Sequence, residues 1–199
     1  MADTVSEPNK GSDYLDKTDK VVWIAFVALL VFLAAVIGIP ELKTRKMANN
    51  QTSAAAACKA FAEAEELYRR IDHDCDGVLE YAQSLQELAR VGLLSQDFAD
   101  AELENGLERP RNGYLFKVLT SQGPKATGGA RHYITGTNMT LGYGLVASPA
   151  IYDGTGRDTF VISNNGTIFQ KDRGEAETLQ RLPNDFNPPS SWDPDYSPE

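Results

Sequence analysis

Cysteine and histidine are scarce in this 199-residue sequence, which contains two of each. Two cysteines are too few for a disulfide scaffold or a cysteine-rich zinc site. Hydrolytic machinery is also missing, because no G-x-S-x-G pattern occurs and Cys75, beside His73, lies among three carboxylates that disfavour a thiolate. We therefore predict that the chain is not an enzyme and has no catalytic or cofactor-binding residues.

Positive charge is in short supply as well. The chain has 19 Lys and Arg against 28 Asp and Glu, which gives a net charge of −9. The acidic excess lies in residues 72–199. Because an acidic surface repels phosphate backbones, we predict that the protein does not bind nucleic acid.

Charge is absent altogether from residues 21–39. An uncharged apolar run of about 20 residues reaches ~30 Å as a helix, which is the thickness of a bilayer core. We predict a disordered tail at 1–19, a transmembrane helix at 20–40 and lipid contact through 21–39. Lysines and arginines are balanced on the two sides of the run, so the charge distribution does not orient it.

The predicted helix continues outside the membrane over residues 41–71. Alanines 54–57 favour helix, and Cys58, Phe61 and Tyr68 recur with helical spacing. Glu63, Glu65 and Glu66 lie about one helical turn, three or four residues, before Tyr68, Arg69 and Arg70. We therefore expect acid–base pairs between these glutamates and the two arginines, which would support the helix.

An acidic segment follows the helix. Carboxylates at loop positions 1, 3 and 5, Gly77 at position 6 and an apolar residue at position 8 match the first two-thirds of an EF-hand-type calcium loop. The bidentate glutamate of position 12 is replaced by Gln83. The predicted Ca²⁺ ligands are Asp72, Asp74, Asp76, the Val78 carbonyl and Glu80. The alternative is an acidic, solvated turn that ends the helix.

The remainder predicts a small α+β head over residues 72–183, with a Pro- and Asp-rich tail at 184–199. Residues 81–104 have helical spacing of leucines, interrupted by Gly92, and the chain then changes to short β-rich runs. An Asn-Gly pair at 165–166 predicts a tight hairpin between the last two runs. We expect an antiparallel meander covered by the long helix, with Phe186 and Trp192 as docking points of the tail. The predicted strands are 114–119, 143–147, 159–163 and 167–170.

The two cysteines are not expected to pair. Cys58 lies 13 residues before Ile71 on the predicted helix, so Ile71 is ~20 Å beyond it. The four residues to Cys75 return at most ~14 Å, whereas a disulfide needs Cα atoms within about 7 Å.

The run L-A-A-V-I-G-I-P at 33–40, leading into an amphipathic helix and a sheet, resembles type IV pilins and type II secretion pseudopilins. The segments GYLFKVLTSQGPKATGGARHYI (113–134) and LVASPAIYDGTGRDTFVISNNGTIFQKDRG (145–174), with DGVLEYAQ (76–83), resemble an exported bacterial family described only as a domain of unknown function. The resemblance implies a pilin-like head outside the cytoplasmic membrane of a single-pass protein whose N-terminus is inside. Trp23 stands near the position where pilins carry a buried glutamate, and no prepilin cleavage site precedes it.

These observations together predict a membrane-anchored, pilin-like structural or interaction protein of the bacterial cell envelope. Its head would lie in the periplasm or at the cell exterior, and its partners would be like subunits or other envelope proteins. The alternative is a solitary anchored module that binds calcium or another ligand and never assembles into a fibre.

Overall fold

One long helix precedes a β-rich region. The computed structural model describes residues 10–103, 109–180 and 182–194. Helix α1 spans Lys10–Tyr68, and the chain divides into two units, residues 1–44 and 45–199, so α1 contributes to both. Residues 10–19 of the predicted tail belong to α1, and residues 1–9 lie outside the described residues.

The apolar part of α1 does not meet the requirement for a membrane span. Within the described residues, no helix combines the length and the apolar character needed to cross a bilayer. This finding overturns the predicted transmembrane helix at 20–40. It equally overturns the single-pass localisation with an external head.

The second unit contains the rest of the secondary structure and confirms the α+β composition. The helices after α1 are α2 (Leu85–Arg90), α3 (Gln96–Ala99) and α4 (Glu175–Gln180). The strands are β1 (Tyr114–Leu119), β2 (Ser121–Gln122), β3 (Arg131–His132), β4 (Ile134–Thr135), β5 (Asn138–Met139), β6 (Gly144–Pro149), β7 (Asp158–Ser163), β8 (Ile168–Asp172) and β9 (Asp193–Pro194).

Five of these strands form one antiparallel sheet in the order β1-β6-β7-β8-β9. Its four longer strands agree with the predicted runs to within two residues at each end, and the predicted hairpin joins β7 to β8. Gly166 has φ +78° there and its N–H donates to the Ser163 carbonyl at 2.9 Å, as expected of a tight turn. Two further pairs, β2-β3 and β4-β5, were not predicted.

Short segments lie at both ends of this sheet. Beside the outer strand β1, the Phe116 N–H donates to the Ala101 carbonyl at 3.0 Å, and the Leu103 N–H donates to the Phe116 carbonyl at 2.7 Å. At the other end, the two-residue strand β9 pairs with β8, with Pro194 opposite Phe169. The main-chain groups of β1 and β8 are thus partly engaged by neighbouring chain.

Both faces of the sheet are buried. On one face α1 packs through Cys58, Phe61 and Ala64 against Phe116 and Phe160, all within one apolar core. The helix is therefore the cover that the sequence predicted. On the opposite face, Phe186 and Trp192 pack with three sheet residues, Leu119, Val146 and Val161. The C-terminal segment supplies this second cover, as expected of its two aromatic residues.

The helical region predicted at 81–104 contains two short helices, and the predicted interruption at Gly92 lies between them. Helix α2 begins after Ser84, whose Oγ accepts from the Glu87 N–H at 3.3 Å, and it ends near Gly92, which has φ +77°. The Leu93 N–H then donates to the Leu88 carbonyl at 2.9 Å, which closes the helix. A glycine in the left-handed conformation thus separates α2 from α3.

Candidate functional site

The acidic loop begins directly after α1, and Asp72 organises its backbone. Asp72 Oδ1 accepts from the Cys75 N–H at 2.8 Å, and Oδ2 accepts from the Gly77 N–H at 2.9 Å. Cys75 and Gly77 both have positive φ, +63° and +86°. The bond from Gly77, followed by that from Cys75, lowers the pKa of Asp72, so this carboxyl is held in its charged form. The turn is built by the first residue of the predicted calcium pattern.

Three carboxylates converge at this turn. One oxygen each from Asp72, Asp74 and Asp76 lies within 4.8 Å of the others. Calcium–oxygen distances are roughly 2.4 Å, so two ligands of one ion lie up to roughly 5 Å apart. Asp74 and Asp76 are exposed and Asp72 is half-buried, which leaves the group open to an ion from solvent. The spacing and exposure fit the predicted Ca²⁺ ligands at loop positions 1, 3 and 5.

The later loop positions differ from the pattern. Val78 follows the turn, and its N–H donates to Asp76 Oδ1 at 2.7 Å. Glu80 is not a member of the three-carboxylate group in the described chain. Burial, followed by the negative charges of Asp74 and Asp76, raises the pKa of Glu80. The charges of the loop aspartates thus act on Glu80, although it is not one of the three converging carboxylates. Gln83 is engaged elsewhere, since its Nε2 donates to the Thr137 carbonyl at 2.6 Å.

A residue far along the chain completes the surroundings of the loop. The buried amide of Asn138 donates to Asp76 Oδ2 through a short hydrogen bond. Thr137 Oγ1 in turn donates to Asn138 Oδ1 at 2.6 Å, which orients the amide. The acidic loop is therefore tied to the β4–β5 turn. No local sequence signal identifies Asn138, because the two residues are 62 positions apart and meet only through the fold.

The profile of one protein family, described as "Protein of unknown function (DUF2950)", matches residues 33–194. The chain belongs to DUF2950. Neither the comparison with curated proteins nor that with solved structures gave a match. The family membership bears out the predicted resemblance to an uncharacterised domain family, whereas the finer resemblance to pilins is not shown by it.

In this DUF2950 chain, carboxylates also fix the segment after the loop. Glu65 Oε2 on α1 accepts from the Ala82 N–H at 2.9 Å, Glu87 Oε2 accepts from the Gln83 N–H at 2.8 Å, and Glu102 Oε2 accepts from the Leu85 N–H at 2.8 Å. The Tyr81 N–H donates to the Met139 carbonyl at 2.8 Å. Both ends of the loop are consequently anchored, one by α1 and one by this set of bonds.

Glu65 behaves differently from the expectation of an acid–base pair with Arg69. Its side chain is 0% exposed, and its Oε1 has no hydrogen-bond partner. Burial raises its pKa well above the ordinary value, and the nearby carboxylates of Glu87, Glu66 and Glu102 add to the effect. Arg69 instead donates to the Tyr81 hydroxyl at 2.7 Å. The helical spacing predicted an acid–base pair with the arginines after Tyr68. In the structure, Glu65 is buried and instead accepts the hydrogen bond from the Ala82 N–H after the loop.

Proposed function

We propose that this DUF2950 chain is a calcium-binding module in which the acidic loop holds the ion. The observation that carries the proposal is the convergence of Asp72, Asp74 and Asp76 oxygens to within 4.8 Å on a turn already closed by backbone hydrogen bonds. A preordered loop loses little conformational entropy when an ion binds. The three like charges also repel one another, and a divalent cation between them removes that repulsion.

The affinity should be modest. Without the bidentate glutamate of position 12, the ligand set is the three aspartates, the Val78 carbonyl, water and, after a side-chain rearrangement, Glu80. EF-hand-type sites with weak ligand sets bind in the range of roughly 10⁻⁴–10⁻³ M, the range of extracellular modules. The ion would fix the junction between α1 and the β4–β5 turn, because Asp76 contacts Asn138 from the other side.

Isothermal titration of the full chain with CaCl₂ tests the proposal. The wild type should release or absorb heat at millimolar Ca²⁺, and Asp74→Ala should lose most of it. Glu63→Ala is the matched control, since Glu63 is an exposed carboxylate on α1 outside the loop and its loss changes the net charge equally. Absence of heat in the wild type, or an unchanged titration in Asp74→Ala, would contradict calcium binding. The loop would then be only an acidic, solvated turn that ends α1.

A second candidate function, favoured by a separate observation, is assembly with further copies of this chain through α1. The large apolar side chains between residues 21 and 33 are exposed, several to more than 60%. They are Val21, Val22, Trp23, Ile24, Phe26, Val27, Leu29, Leu30, Val31, Phe32 and Leu33. Consecutive positions point to all sides of a helix, so one groove covers only part of them, and several neighbouring helices of like chains cover more. The resemblance to pilins implies the same kind of partner, a like subunit.

Light scattering after size-exclusion chromatography tests this assembly. The full chain should elute as an oligomer, and Phe26→Lys should shift it towards the monomer. Phe26 is 52% exposed, so the substitution leaves the packed core intact. A wild-type monomer over a wide concentration range contradicts the assembly without bearing on calcium binding.

A further inference from the structure

A cleft of about 340 Å³ lies beside the acidic loop, between the C-terminal turn of α1, α2 and the β4–β5 turn. Its volume falls within the range of roughly 300–1,000 Å³ that is typical of sites for small organic ligands. The cleft shares two residues with the predicted calcium ligands, Asp74 and Glu80. Its other lining residues do not belong to the calcium pattern. The residues that matter for its chemistry are Tyr68, Asp74, Glu80, Glu87, Arg90 and Asn138.

Negative charge predominates in this cleft. The carboxylates of Asp74, Glu80 and Glu87 face a single guanidinium, that of Arg90. Backbone hydrogen bonds position two of them, since Asp74 Oδ1 accepts from the Asp76 N–H at 3.3 Å and Glu87 Oε2 accepts from the Gln83 N–H at 2.8 Å. Such a lining attracts a cation and repels an anion.

A buried hydroxyl faces these carboxylates. Tyr68 is only 6% exposed, and its ring stacks on that of His73 with 4.0 Å between the centroids. Its hydroxyl makes no hydrogen bond to the described residues, although the side chain lines the cleft. After burial itself, the charges of Glu87 and Glu80 act most strongly on this phenol and raise its pKa to about 12, which places the hydroxyl in the field of the cleft. Tyr68 lines the cleft, so its hydroxyl can donate to or accept from a ligand there.

We propose that this cleft binds an alkylammonium group, carried either by a small free amine or by a lysine side chain of a partner protein. An ammonium offers three N–H donors from one compact centre, and the cleft surrounds it with the oxygens of Glu80, Glu87 and Tyr68. The attached methylene chain packs along the stacked rings of Tyr68 and His73.

Titration calorimetry on the full chain, in EDTA so that the loop holds no calcium, tests the cleft. Two probes separate the sources of the ammonium: cadaverine stands for a free amine, and Nα-acetyl-lysine amide stands for a protein side chain. Binding of either at millimolar concentration is expected, and the tighter of the two identifies the source. 1-Pentanol, which has a similar chain and no charge, should give no heat.

Variants locate the binding. Glu87→Gln keeps an oxygen for the Gln83 N–H and removes one charge, so it should weaken amine binding about tenfold or more. Tyr68→Phe keeps the stacked ring and removes the hydroxyl, and it should weaken binding several-fold. Glu63→Gln, on the same helix but outside the cleft, should have no effect. The proposal is overturned if neither amine binds, if pentanol binds equally, or if Glu63→Gln weakens binding as much as Glu87→Gln does.

Discussion

The variant Glu65→Gln should be more stable than the wild type, and the difference in the free energy of unfolding should grow as the pH rises. Glu65 is fully buried, only its Oε2 is hydrogen-bonded, and burial followed by neighbouring carboxylates raises its pKa in the folded state. A carboxyl with a raised folded pKa binds more protons in the folded chain than in the unfolded one, so folding loses stability with increasing pH. The loss begins near the unfolded pKa of about 4.3 and ends at the folded pKa. Within that window it amounts to at most about 1.4 kcal/mol per pH unit.

Glutamine resembles the protonated acid in shape and keeps an acceptor for the Ala82 N–H, but it cannot ionise. The two proteins should therefore have similar stability near pH 4, and Glu65→Gln should gain on the wild type at higher pH. Glu65→Ala serves as the contrasting variant. It leaves the buried Ala82 N–H without its acceptor, which costs about 1–3 kcal/mol, and it adds the cost of a cavity.

Urea denaturation of the full chain, followed by circular dichroism from about pH 4 to about pH 8, measures these differences. Other titrating groups are the same in the three proteins and cancel when variants are compared with the wild type. A difference between Glu65→Gln and wild type that stays constant across this range would refute the reasoning. It would mean that the carboxyl of Glu65 ionises as easily in the folded chain as in the unfolded one.

Two further predictions concern the cysteines and the C-terminal segment. Cys58 is buried and its pKa is raised to about 12, whereas Cys75 is exposed. Iodoacetamide should therefore alkylate only Cys75 in the native protein and both cysteines in denaturant, which peptide mass spectrometry can measure. Equal reaction of Cys58 in the native protein would contradict its burial. Phe186→Ala should lower the free energy of unfolding in urea by about 3–5 kcal/mol, because Phe186 is buried against the second face of the sheet. Ser190→Ala, at an exposed position of the same segment, should lower it little. A small loss for Phe186→Ala would show that the segment does not support the sheet.

The features that could be predicted from the sequence are those that local chemistry determines. The β7–β8 hairpin follows from an Asn-Gly pair that accepts positive φ, and strand β1 follows from a β-rich run with apolar residues at both buried faces. Cys58 and Cys75 are free, as the helical distance between them predicted. The turn around Asp72 likewise follows from a pattern within six residues.

Predictions fell short where the outcome depends on distant residues. The sequence predicts that Glu65 pairs with the arginines after it, because nothing near it in the sequence indicates that the Ala82 N–H will meet it. Asn138 is 62 residues from Asp76 and is joined to it only by the fold. The membrane prediction is wrong for a different reason: it depended on the length of an apolar run, and no helix of the described residues is long and apolar enough to span a bilayer.

The two ends of the five-stranded sheet limit how a partner can bind to it. A foreign strand that adds to β1 must first displace residues 101–103, which already use the Phe116 N–H and carbonyl. At the other end the outer strand is β9, which has two residues, and Pro194 has no N–H to offer. β-Augmentation, in which a peptide extends a sheet by main-chain hydrogen bonds, is therefore obstructed at both ends of this sheet. A partner of this sheet is expected to use side chains instead, and the same obstruction disfavours edge-to-edge aggregation through it.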